Sequence, residues 1–176
     1  MANTYEAIAT VTVGAGGASN IEFTSIPATF TDIKIVVSAR TDVADVADDL
    51  AVQINSDGTA GRHSWRIIWG NGSSANSGNS TSDSRGHGGW VSAANGTTST
   101  FSSNEIYIPN YAGSTQKSFS TEGAQENNTS SALISMAANL YNQTTAVTSV
   151  KLFSRSYPSS KFVQYSTATL YGIKNS

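Results

Sequence analysis

The sequence predicts an all-β fold, one antiparallel β-sandwich or jelly roll of roughly ten strands spanning residues 1–176. Three observations point there. Apolar and polar residues alternate with a period of two along most of the chain, which sets one face of each strand on a core and the other in water. Gly, Pro, Asn and Asp gather between the alternating runs, where turns require them. Charged residues make up only 12% of the chain, against about 25% in an average soluble protein. Ser, Thr, Asn and Gly stand in their place, and these suit turns and strand surfaces better than helices.

The elements follow in order. EAIATVTV (6–13) alternates and is broken by Gly14, Gly16 and Gly17. IEFTSI (21–26) is closed by Pro27, which has no N–H to give a ladder. DIKIVVSAR (32–40) sets Ile33, Ile35 and Val37 on one face. TDVADVADD (41–49), with a capping residue at Thr41 and early acids, predicts a helical turn. DLAVQIN (49–55) alternates again, and Asn55-Ser56-Asp57-Gly58 predicts a hairpin turn into HSWRIIWG (63–70) as its partner strand. Residues 71–89 are almost entirely Gly, Ser, Asn and Thr, offer little apolar surface to bury, and predict a long polar loop. Strands resume with GGWVSAA (88–94), NEIYIPNY (104–111) and QKSFSTEGAQ (116–125). ALISMAANLYN (132–142) contains good helix formers, but its alternation and its place between strands predict a strand. VTSVKLFSR (147–155) and KFVQYSTATLYGI (161–173) close the chain. No amphipathic helices intervene, which argues against a βαβ architecture.

Charge and cysteine content narrow the function. The net charge is −2 and Lys and Arg are scattered singly, so neither a basic stripe for nucleic acid nor a polybasic run for membranes is expected. There is no cysteine, hence no disulfide framework and no thiolate metal site. The start, Met1-Ala2-Asn3-Thr4-Tyr5-Glu6, lacks the basic and apolar regions of a signal peptide. No run approaches the ~20 apolar residues that span a bilayer. The expectation is synthesis in a reducing cytoplasm, without membrane insertion.

Catalytic chemistry is not predicted. The only histidines are His63 and His87. His87 lies in SRGHGGW, too glycine-rich to hold an imidazole for general-base work, and His63, opening a strand beside a turn, is expected at the surface. Glu105 and Glu122 lie on or near strands, with nothing to pair them as glycosidase acids. Asp42, Asp45, Asp48 and Asp49 do not have the spacing of a calcium loop and read as a solvated acidic turn. No catalytic residue, metal or cofactor is expected. The aromatics are the candidates for contact. Trp65 and Trp69, four apart, face the same side of one strand, as core or as a platform for sugars or an interface. Trp90 follows the polar segment, Tyr107 and Tyr111 sit near a strand end where a rim contact is expected, and Tyr5 ends a possible N-terminal arm (1–5).

Three stretches carry a resemblance: IEFTSIPATFTDIKIVVSAR (21–40), EIYIPNYAGSTQKSF (105–119) and FVQYSTATLYGIKNS (162–176). They resemble small structural proteins of tailed bacteriophages, notably those of cyanobacteria and marine bacteria. The likeness covers most of the chain and lies in strand patterns. It implies a non-enzymatic virion protein. One form would be a capsid decoration, or cement, protein on the major capsid protein at the virion surface. The other would be a tail-associated module that binds a receptor or a host surface glycan. The resemblance transfers no functional residue. A homotrimer is the expected assembly on an icosahedral shell, and many identical copies would gain avidity.

Overall fold

The structure is a computed structural model that describes residues 4–129 and 131–174. The described residues form twelve strands and no helix, in two sheets. The larger sheet runs β1 (Tyr5–Thr12), β12 (Thr167–Ile173), β3 (Asp32–Ser38), β8 (Ser103–Ile108), β9 (Lys117–Gln125), β10 (Leu133–Tyr141), β5 (His63–Gly70) and β6 (Ala75–Asp83). The smaller runs β2 (Ile21–Phe23), β11 (Val150–Ser154), β4 (Ala47–Ile54) and β7 (Gly86–Ser92). Every neighbouring pair is antiparallel. The two sheets pack as the layers of a sandwich.

The alternation read from the sequence builds the core at the β3 end. Ile33, Ile35 and Val37 of β3, Ile106 and Ile108 of β8 and Leu170 of β12 point inward. They belong to one buried cluster with Leu50, Val52 and Ile54 of β4 and Val150 and Leu152 of β11. Each such side chain stabilises the fold by roughly 1.5–3 kcal/mol on burial. Apart from Val36, the outward residues of β3 are polar or charged, as with Lys34, which pairs with Glu105 at 2.5 Å.

Residues 132–142 are a strand, β10, as predicted. Four local expectations are corrected. Residues 41–49 contain no helical turn: Thr41 makes an isolated bridge to Phe162 and β4 begins at Ala47. The segment after β4 is no hairpin, because β4 and β5 lie in different sheets. Positive φ falls on Asn55 (54°) and Ser56 (53°) instead of on Gly58. Asn55 Oδ1 accepts the N–H groups of Thr148 (2.8 Å) and Ser149 (3.2 Å), so this turn is fixed by the segment entering β11.

The predicted loop at 71–89 is instead β6 and the start of β7. Asn71 Oδ1 accepts the N–H groups of Ser73 (3.1 Å) and Ser74 (2.9 Å), and Gly72 takes φ +85°. That Asn-Gly turn reverses the chain, and β6 then pairs with β5 from Gly70↔Ala75 to His63↔Asp83. β6 is ordered by its ladder and not by burial, so a hydrophobicity argument cannot see it. Of the proposed arm, residues 1–3 lie outside the described residues, and Tyr5 opens β1.

Candidate interaction site

The interior changes character toward β5 and β6. β5 turns His63, Trp65, Ile67 and Trp69 inward and Arg66 and Ile68 outward. The inward rings meet β7 in a continuous series. The Arg155 guanidinium lies 5.0 Å over Trp65, and Trp65–His87, His87–Trp90 and Trp90–Trp69 each have ring centroids 5.1 Å apart. The Trp65 indole N–H donates to Asp83 Oδ2 at 3.0 Å, and Arg155 Nη2 pairs with the same oxygen. The structure therefore brings the three predicted tryptophans together, between the layers and half-buried.

β7 is laid on polar side chains of the opposite sheet. Asn139 Oδ1 accepts the His87 N–H (2.7 Å), while Asn139 Nδ2 (3.2 Å) and Thr121 Oγ1 (2.8 Å) donate to the His87 carbonyl. Asn104 Nδ2 donates to the carbonyls of Gly88 and Trp90, both at 3.1 Å. The glycines permit this approach: a Cβ on Gly86 would stand 2.6 Å from the Phe119 ring, and one on Gly89, at φ +85°, would stand 2.8 Å from Asn104 Nδ2. The glycine-rich stretch thus holds His87 firmly, contrary to expectation, with Nδ1 accepting the Gly89 N–H at 3.0 Å. His63 is not a surface residue either: it is 1% exposed and packs on the Tyr141 ring, centroids 4.9 Å apart. Burial pushes both imidazoles down to about 4, with Arg155 adding to the effect at His87. At neutral pH both rings are neutral packing elements.

Nearby acids are similarly committed. Burial pushes Asp48 up to about 6, against the Ser154 hydroxyl that donates to it at 2.9 Å. Burial also raises Asp83, but the Trp65 N–H and Arg155 outweigh it and hold that carboxylate below its ordinary range. Asp42 Oδ1 accepts the Lys161 N–H (2.7 Å) and Asp45 Oδ1 accepts the Val46 N–H (2.6 Å), so the acidic run disperses. Among the described residues no cluster of three or more His, Asp or Glu could hold a metal ion.

The outer face of the same strands is unusual in another way. β10 points Ser135, Ala137 and Asn139 inward and Ile134 and Met136 outward. Met136 lies directly across from Ile68 of β5. Ile134, Ile68 and Met136 are 67%, 61% and 57% exposed. The Ile68–Met136 pair parts two shallow grooves, one floored by Gly78 and Ala138 beside Arg66, the other by Gly70 and Ala75 beside Trp69 and Ile134. One strand further, Glu122 lies opposite Glu105, a like-charge pair that Lys34 relieves from one side. Ile68, Ile134 and Met136 thus form an exposed apolar cluster on a sheet held by its ladder.

Sequence reasoning did not single out Ile68, Ile134 or Met136. The signal was present: in 132–142 the period-two phase that buries Ser135 and Asn139 turns the larger apolar residues outward. Of the predicted tyrosines, Tyr5 is exposed beside Tyr171, ring centroids 6.5 Å apart. Tyr107 lies on the outer face and donates to Asp32 Oδ2 at 2.7 Å, a bond that pushes its hydroxyl up to about 12. Tyr111 is corrected from rim to core: it is fully buried, and its hydroxyl donates to the Pro27 carbonyl. No protein-family model matches the chain, and no curated protein matches it.

Proposed function

We propose that this chain is a non-enzymatic structural protein of a phage virion, a decoration protein that lies on the major capsid protein and stabilises the shell. The exposed trio Ile68, Ile134 and Met136 carries the reading. The ladder-held sheet offers them as a contiguous apolar face, and such patches mark interaction sites. The resemblance to small phage structural proteins supplies the partner. The repeated passage of the chain between the two sheets supports a jelly-roll type of sandwich. Copies gathered as a homotrimer would hold the shell by avidity. Immunogold electron microscopy of the phage that encodes the chain tests the reading. Label over the head is the expected result, and a bare head contradicts it.

A second reading is a tail-associated, glycan-binding module. It is favoured by Trp69, which lines the groove beside Ala75 and Ile134. It expects gold confined to the tail tip and glycan binding that Trp69→Ala abolishes without unfolding.

A further inference from the structure

We infer that copies of this chain join edge to edge, β6 of one beside β1 of the next, into a closed ring. The larger sheet ends in two open edges, β1 and β6. Within one copy β1 and β6 do not pair with each other, so each leaves one side of its backbone open. The sheet has eight strands and every pair in it is antiparallel. An even number of antiparallel strands leaves the two edges running in opposite directions. Copies related by rotation about an axis along the strands would therefore meet β6 to β1 as an ordinary antiparallel pair.

The edges are built to accept one another. They are long, nine residues for β6 and eight for β1, whereas proteins commonly blunt an edge by shortness, Lys or Pro. Neither carries Lys or Pro, and β6 has no charge before its last residue, Asp83. Each edge has one bulge, β1 between Ala7 and Ala9 and β6 between Ser80 and Asp83, and each is regular beside it, from Ala9 to Thr12 and from Ala75 to Ser80.

The ladder phase shows which backbone groups are open. Asn71 N–H bonds to Ser74 O at 3.2 Å, and bonded and non-bonded pairs alternate along antiparallel strands. With the observed register, Ser77 and Asn79 of β6 turn their N–H and C=O away from β5. On β1, Val13 N–H bonds to Ser166 O at 2.8 Å, so Thr10 and Thr12 likewise face outward. Tyr171, Lys34, Tyr107, Ser120, Ala138 and Arg66 form one cross-strand row, so all share the face that also bears Met136 and Ile68. The joined sheet would carry the apolar trio of one copy on one side of the seam and Tyr5 and Tyr171 of the next on the other.

The inference does not rest on the virion reading, because the test needs only the full chain in solution. Analytical ultracentrifugation should show a closed oligomer for the wild type. Ser77→Pro or Thr10→Pro removes one outward N–H and should give a monomer with an unchanged far-ultraviolet circular dichroism spectrum. An equimolar mixture of the two variants should sediment as a dimer, since one intact seam remains. Where a proline variant loses its β spectrum, Ser77→Lys and Thr10→Lys replace the pair and carry the same expectation. A monomeric wild type overturns the inference. So does an oligomer that survives the change at either edge, which would point to a symmetric contact through the other edge alone.

Discussion

The two ends of the sandwich are held together by different physics. At the β3 end, aliphatic side chains from both sheets interlock, and stability follows from area removed from water. At the β5 end, β7 is pinned by Asn104, Thr121 and Asn139, by a series of stacked rings and by the Arg155–Asp83 pair. The polarity of β10 is partly inverted there, with Ser135 and Asn139 inside beside Ala137 and Tyr141, and Ile134 and Met136 outside. An apolar interior specifies little beyond volume, whereas a buried polar lattice fixes register and position. The polar lattice fixes β7 against β9 and β10, the latter carrying Ile134 and Met136 on its outer face.

The comparison is sharpened most by truncation in each interior. Leu152→Ala at the β3 end should cost about 3 kcal/mol, through lost transfer energy and a cavity. Asn139→Ala at the β5 end should cost about 2 kcal/mol, because the buried His87 N–H loses its acceptor. Replacement of similar volume separates the ends further. Leu152→Met should cost less than about 1.5 kcal/mol, whereas Asn139→Leu should cost at least as much as Asn139→Ala. Urea unfolding followed by tryptophan fluorescence measures all four, and a harmless Asn139→Leu would break the distinction.

Acid should act on the β5 end. His63 and His87 titrate at about 4 in the folded protein, against about 6.5 unfolded. Their contribution is complete above pH ~6.5 and is lost as the pH falls through ~4, by at most about 3 kcal/mol each. Asp48 works in the opposite sense: held up at about 6, it takes its proton earlier in the folded state and adds stability as the pH falls toward ~4. The wild type should therefore lose less stability than two buried histidines alone imply. Unfolding at about pH 7 and about pH 4.5 should show a steeper acid loss in Asp48→Asn and a shallower one in His87→Gln. A His87→Gln profile identical to wild type would remove the imidazole from the account. The smallest stability effect belongs to the outer face, where Ile68→Ser or Met136→Ser should stay within about 0.5 kcal/mol.

The β3 end was legible in the sequence because its strands alternate cleanly, as Ile33, Ile35 and Val37 show. The β5 end was legible only in part. The shared face of Trp65 and Trp69 follows from strand geometry. The burial of His63 and His87 depends on residues far along the chain, such as Asn139, 52 positions from His87. β6 escaped because an edge strand of Ser, Asn, Gly and Thr has no apolar period, and its order comes from pairing with β5. The Asp57-Gly58 signal misled because a local turn propensity does not say which sheet the next strand joins.

The most direct test of the central claim is co-sedimentation of the purified protein with phage capsids that lack it. Three forms should be compared: wild type, Met136→Glu on the outer face, and Tyr157→Ser at an exposed loop position away from that face. Wild type and Tyr157→Ser should pellet with the capsids while Met136→Glu, folded by circular dichroism, stays in solution. Equal pelleting of all three, or none of the wild type with the capsids, would contradict the assignment of this face to the shell.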